Sequence, residues 1–139
     1  GLIYTSIDTF IGNGIKSLSN NCLAHNSYLT NVVLSTCLET IKGGDWFDYS
    51  YCNLDVYWRS FPANGFAKNP MGGHVNSNTI TNHLAWHQRD IWRDFAATNT
   101  LVKMTVPEKF DGYGVWGSQV TVWWRDPDRA PEPMFLIIR

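Results

Sequence analysis

From Asn31 onward the hydrophobic pattern of this 139-residue chain runs with a period of two, and that period constrains the fold most. Val32, Leu34, Thr36 and Leu38 alternate with Val33, Ser35, Cys37 and Glu39 before Gly43-Gly44 turns the chain. Residues two apart share one face of a strand, so such a run covers a core on one side only. A return strand over about 48–58 puts Leu54, Val56 and Trp58 on one face and Tyr49, Tyr51, Asp55 and Tyr57 on the other. Further strands are expected at 79–86, 99–106, 120–124 and 135–138, with turn-rich stretches at 62–73 and 126–133 between them. Residues 91–95 fit a strand or, through Leu84, Ile91, Trp92 and Phe95, a helix face. Short strands between turn signals predict a mainly β fold, a β-sandwich, in a single domain over 1–139, with no internal repeat.

The start of the chain reads differently. Over 5–24, Ile7, Phe10, Ile11, Ile15, Leu18 and Cys22 recur at three- and four-residue steps, while Asp8, Asn13, Lys16, Ser17 and Asn20 take the other side. That spacing predicts an amphipathic helix within an N-terminal segment 1–24, capped by Ser6. Gly12 and Gly14 weaken it by about 1 kcal/mol each relative to alanine. Such a helix either covers a sheet or detaches from it.

Between the strands at 99–106 and 120–124 lies a stretch punctuated by Pro107, Gly112, Gly114 and Gly117. It carries Phe110, Tyr113, Val115 and Trp116, side chains that a water-facing loop exposes only for contact, Trp and Tyr favouring the membrane–water interface. The alternative is that these rings fold back onto the core.

This stretch, Asn99-Thr100-Leu101-Val102-Lys103-Met104-Thr105-Val106-Pro107 followed by Phe110-Asp111 and Tyr113, resembles the actinoporin family of pore-forming cytolysins. There, an Asn-Thr-Leu strand ending Ser-Val-Pro leads into Phe-Asp-Tyr and a Trp/Tyr-rich tip. A second likeness is Gly43-Gly44-Asp45-Trp46 after the first strand. Departures are one deletion, Thr105 for Ser, and Glu108-Lys109 inserted before Phe110. The resemblance covers about 5–60 and 88–124 and implies a strand at 91–95. It implies a secreted toxin that docks through the tip, oligomerises on the target-cell membrane and inserts its N-terminal helix through Ile7, Phe10, Ile11, Ile15 and Leu18. It also implies a phosphocholine headgroup site at Thr105, Pro107 and Tyr113, with Trp116 beside them, where a quaternary ammonium rests over aromatic faces. The family's further tyrosine-rich segment has no counterpart before Arg139 unless Tyr49, Tyr51 or Tyr57 replaces it, and its cysteine pattern differs. Fungal fruit-body lectins share that sandwich superfamily at about this length, so a carbohydrate-binding lectin is the alternative reading. A processed toxin chain with another target is the third.

Composition narrows the partner classes. A net charge of −1 with scattered Lys and Arg supplies no basic face for nucleic acid. Seven tryptophans suit a protein that meets lipid or sugar, and no 18-residue apolar run provides a spanning helix. GxSxG, GxxxxGK[ST] and HExxH are absent from the sequence, which predicts a non-enzymatic protein with no catalytic residue and no cofactor. His83 and His87, four apart, would make half a metal site, but no third ligand is nominated, so no metal is expected. A start at Gly1 fits a processed secreted chain. Three cysteines allow one disulfide, and the alternation places Cys37 on the polar parity and Cys52 on the core parity, against a bridge between them.

Overall fold

The first four strands recur at intervals of about one coil of chain, and each lies parallel to the one before it. The computed structural model describes residues 7–47, 52–71, 80–101, 103–106, 113–116 and 120–125. Its strands are β1 (Thr9–Ile11), β2 (Asn31–Val33), β3 (Leu54–Trp58), β4 (Ile80–Ala85), β5 (Met104–Thr105), β6 (Tyr113–Trp116) and β7 (Val120–Arg125). A 3-10 turn, Trp86–Gln88, leads into the helix α1, Arg89–Thr98. The protein is mainly β, and the described strands form one seven-stranded sheet in the order β1-β2-β3-β4-β7-β6-β5. The first four strands and β7 pair in parallel, whereas β5, β6 and β7 pair antiparallel.

Parallel neighbours need a long crossover, and helices usually supply it. Here turns do. Thr9, Asn31, Asp55 and Thr81 lie side by side, at separations of 22, 24 and 26 residues. The intervening chain stacks at similar offsets. Glu39 N–H donates to Lys16 O at 2.8 Å and Ala63 N–H to Leu38 O at 3.1 Å, while Ile41 bridges Phe66 in parallel. On a further side, Asn21 N–H donates to Gly44 O at 3.0 Å and Trp46 N–H to Pro70 O at 2.9 Å. Successive coils are thus hydrogen-bonded on several sides, the arrangement of a parallel β-solenoid. Asn21, His25 and Asp45 turn corners with positive φ, a conformation Asn, Asp and His tolerate better than most residues. Asn21 and Asp45 occupy the same corner of adjacent coils, joined by Asn21 Nδ2 donating to Asp45 O at 3.3 Å.

Alternate residues of the strands face inward. Val32, Val56 and Asn82 are fully buried in one row, and Trp58, Leu84 and Trp124 in the next. The buried amide of Asn82 accepts the Trp58 indole N–H at 2.7 Å, which partners two polar groups inside an apolar coil. Three indoles form a column: Trp46 and Trp58 stack at 5.9 Å, Trp58 and Trp116 at 5.8 Å. Trp92 of α1 meets Trp58 edge-on at 5.5 Å and Phe61 at 4.8 Å, fastening the helix to the column. Each such pair contributes about 0.5–1.5 kcal/mol beyond its area burial.

Several expectations are corrected. The described strands make one sheet whose parallel part is wound in coils, in place of two sheets facing each other. Residues 7–24 form β1 and turns, not a helix. Gly14 sits at φ +75, which a helix cannot contain, and Gly12 N–H donates to Val33 O at 2.9 Å. The spacing of Ile7, Phe10 and Leu18 imitates a helical stripe because an irregular coil aims them at the core, against which all three pack. The chain after Gly43-Gly44 does not return as a hairpin, since β3 runs parallel to β2. Residues 91–95 lie in α1, the helical alternative, because Trp92 and Phe95 share the face turned to the aromatic column. The internal repeat missing from the residue identities is present as a repeat of coils. The strand expected at 135–138 and the turn-rich 126–133 lie outside the described residues.

Two outcomes follow for urea unfolding. A Cβ on Gly43 would collide with the Ser19 backbone of the preceding coil, so Gly43→Ala is expected to lose about 3 kcal/mol. Trp116→Ala should lose about 3–5 kcal/mol by opening the end of the indole column. An unchanged midpoint for either variant would contradict this packing.

Candidate functional site

Residues that alternate with the inward rows stand on the outer face of the parallel sheet, and register aligns them across strands. Thr9, Asn31, Asp55 and Thr81 make one such row, and Ile11, Val33, Tyr57 and His83 the next. Adjacent members sit about 4.8 Å apart, the strand spacing. The first row is polar throughout. Thr9 is exposed, and Asn31, Asp55 and Thr81 are half-buried.

Asp55 anchors this row. Its Oδ1 lies 2.8 Å from Nε2 of His83, one strand away and diagonal in register. The imidazole is 3% exposed while the carboxylate is 47% exposed, so the pair joins a buried base to an accessible acid. The Tyr57 ring stacks on the imidazole at 4.3 Å with the planes 7° apart, fixing its orientation. An Nε2–H donating to Oδ1 holds the carboxylate in one rotamer and leaves its remaining lone pairs toward solvent. Such a group accepts hydrogen bonds from hydroxyl or amide donors without first losing side-chain freedom. Beside it in the same row, Asn31 Nδ2 donates to Thr30 Oγ1 at 3.3 Å.

The residues singled out from sequence fall elsewhere. Thr105 is exposed on β5, opposite Val115, and Tyr113 lies on β6 opposite Trp123. Pro107 is outside the described residues. Trp116 is 1% exposed and belongs to the core column, which corrects its placement on an outward-facing tip. The β5–β6 register sets Trp116 beside Met104 with its indole buried, so this ring offers no open face to a headgroup. Of the proposed inserting residues, Ile7, Phe10, Ile15 and Leu18 are partly buried and only Ile11, 58% exposed, faces outward. His83 and His87 do not share a site, because β4 ends at Ala85 and His87 stands exposed in the 3-10 turn. Among the described residues no group of three or more His, Cys, Asp or Glu could hold a metal ion.

At the end of the sheet next to α1, Trp86 and Trp124 meet edge-on at 5.6 Å, with Arg89 over Trp86 at 4.7 Å and Arg93 over Trp124 at 6.0 Å. This brace secures α1 to the sheet.

Sequence reasoning placed Asp55 and Tyr57 on one face but missed their partner. The signal available was the recurrence of polar residues at about one coil's length: Asn31, Asp55, Thr81. None of the three cysteines is in a disulfide, so Cys37 and Cys52 form no bridge.

Burial pushes the Cys22 thiol from 9.0 up to about 12. The folded chain therefore keeps this proton in a range where the unfolded chain has released it. The thiol's contribution is fully present below pH 9.0 and is lost as pH rises toward about 12. Urea midpoints measured across that range should fall, and Cys22→Ala should flatten the fall. In native protein, iodoacetamide should label exposed Cys37 well before Cys22.

No family model, curated protein or solved structure matches this chain.

Proposed function

We propose that the chain is a carbohydrate-binding protein, and that an extended saccharide lies along the outer polar row, across the strands. The observation that carries this reading is the half-exposed Asp55 carboxylate, held rigid by His83 in the middle of Thr9, Asn31, Asp55 and Thr81. Saccharide hydroxyls are donors spaced along a chain, and the row offers carboxylate, amide and hydroxyl acceptors spaced along the coils. Four strands span about 14 Å, long enough to meet more than one sugar unit. The protein contributes no catalytic step in this reading, and needs no cofactor. It rests on geometry and on the lectin alternative that composition already allowed.

Affinity should rise with oligosaccharide length and level off once the ligand spans the row. Asp55→Asn keeps the shape and removes the charge, so binding should weaken about tenfold or more, the worth of one charge-assisted hydrogen bond. A glycan array followed by calorimetry on the hits measures both. An array without hits, or an Asp55→Asn protein that binds like the parent, would defeat the proposal.

The second reading is a membrane-docking cytolysin. It is supported by the likeness of residues 99–124 to the actinoporin strand and tip, and by the exposed apolar side chains of Ile11 and Tyr28 on the first coils, 58% and 65% exposed. In this reading the first coil must leave the solenoid to insert. Dye release from phosphocholine vesicles, with and without sterol, discriminates: leakage that Ile11→Asp abolishes favours the cytolysin, and intact vesicles beside a positive array favour the lectin.

A further inference from the structure

The turn after β1 holds an asparagine–glycine pair in a conformation suited to covalent change. Gly12 to Ile15 form this turn, with Ile15 N–H reaching Gly12 O at 3.4 Å. Asn13 is exposed, Gly14 takes φ +75, and apart from its two chain neighbours nothing lies within 4 Å of where its Cβ would be. Among the described residues the Gly14 N–H donates no hydrogen bond. A second pair, Asn64-Gly65, is equally exposed at Asn64 but is tied down. Gly65 N–H donates to Pro62 O at 3.0 Å, and Asn64 N–H donates to Glu39 O of the neighbouring coil.

We propose that Asn13 is a site of spontaneous deamidation, and that the coil-to-coil hydrogen bonds protect Asn64 from the same reaction. The Gly14 nitrogen, on losing its proton, attacks Cγ of Asn13. The Cγ–N bond to the side-chain amide breaks and ammonia leaves, closing a five-membered succinimide. Water then adds at either ring carbonyl, giving aspartate or isoaspartate at position 13. Glycine permits this because no Cβ obstructs the approach. At Asn64 the same closure must first break the Gly65 to Pro62 bond and turn a residue whose own N–H is held by Glu39.

The product changes the molecule locally. It places a negative charge three residues before Lys16, whose ammonium pairs with Glu39 at 3.7 Å. The isoaspartate form also lengthens the backbone beside the Gly12 to Val33 hydrogen bond that ties β1 to β2.

The experiment is a time course on the whole protein in mildly alkaline buffer, folded and in urea, with peptide mapping and enzymatic methylation of isoaspartate. In the folded chain Asn13 should convert at least about tenfold faster than Asn64, the rate equivalent of one to two net hydrogen bonds. In urea the two rates should converge, and Asn13→Gln should remove the fast signal while leaving the slow one. Equal rates in the folded chain, a faster Asn64, or an Asn13 that stays intact until the chain unfolds would each overturn the proposal.

Discussion

The structure depends on the parallel register between successive coils, set by backbone hydrogen bonds at intervals of 22 to 26 residues. No coil can bury its apolar side chains alone. Val32 is enclosed because Phe10 and Val56 lie beside it, and Trp58 because Trp46 and Trp116 stack on either side. Register and core are therefore one constraint: a slip of one residue would turn Val56 outward and Asp55 inward. Gly43 shows how tight the stacking is, since its α-carbon passes where any side chain would meet the backbone of the coil above.

The same register builds the outer rows. Asp55 reaches His83 because β3 and β4 are adjacent and their alternation is in phase. The imidazole is buried where Tyr57 covers its face, and the carboxylate is left half open. A hydrogen bond that braces two coils also presents an acceptor to solvent. In the saccharide-binding reading we propose, stability and recognition share those atoms.

Much of this was legible residue by residue and little of it coil by coil. The alternation of Leu54, Asp55, Val56 and Tyr57 told the inner from the outer face correctly. The existence of strands near 80–85 and 120–125 was legible as well. The mistaken helix at 5–24 has a clear origin, because inward residues of an irregular coil recur every three to five positions and imitate a helical stripe. Trp116 was misplaced because glycines flank it, a pattern shared by water-facing loops and by strands that must admit a large ring. The repeat of coils escaped notice because rows preserve character and not identity: Thr9, Asn31, Asp55 and Thr81 share polarity alone. The pairing of Asp55 with His83 crosses 28 residues and is fixed only once the coils are stacked.

The longest interval between paired strands has a meaning for how such a chain can change. Between Thr81 and its partner Thr121 the chain travels 40 residues, through α1 and two antiparallel strands, and still returns in register. Excursions of that size leave the ladder undisturbed when they leave and rejoin it at a corner. The architecture separates a ruler, the strand rows, from appendages whose length is free. New binding loops can be acquired at corners by insertion without renegotiating the core, whereas a single residue added inside β3 would invert every side chain after it.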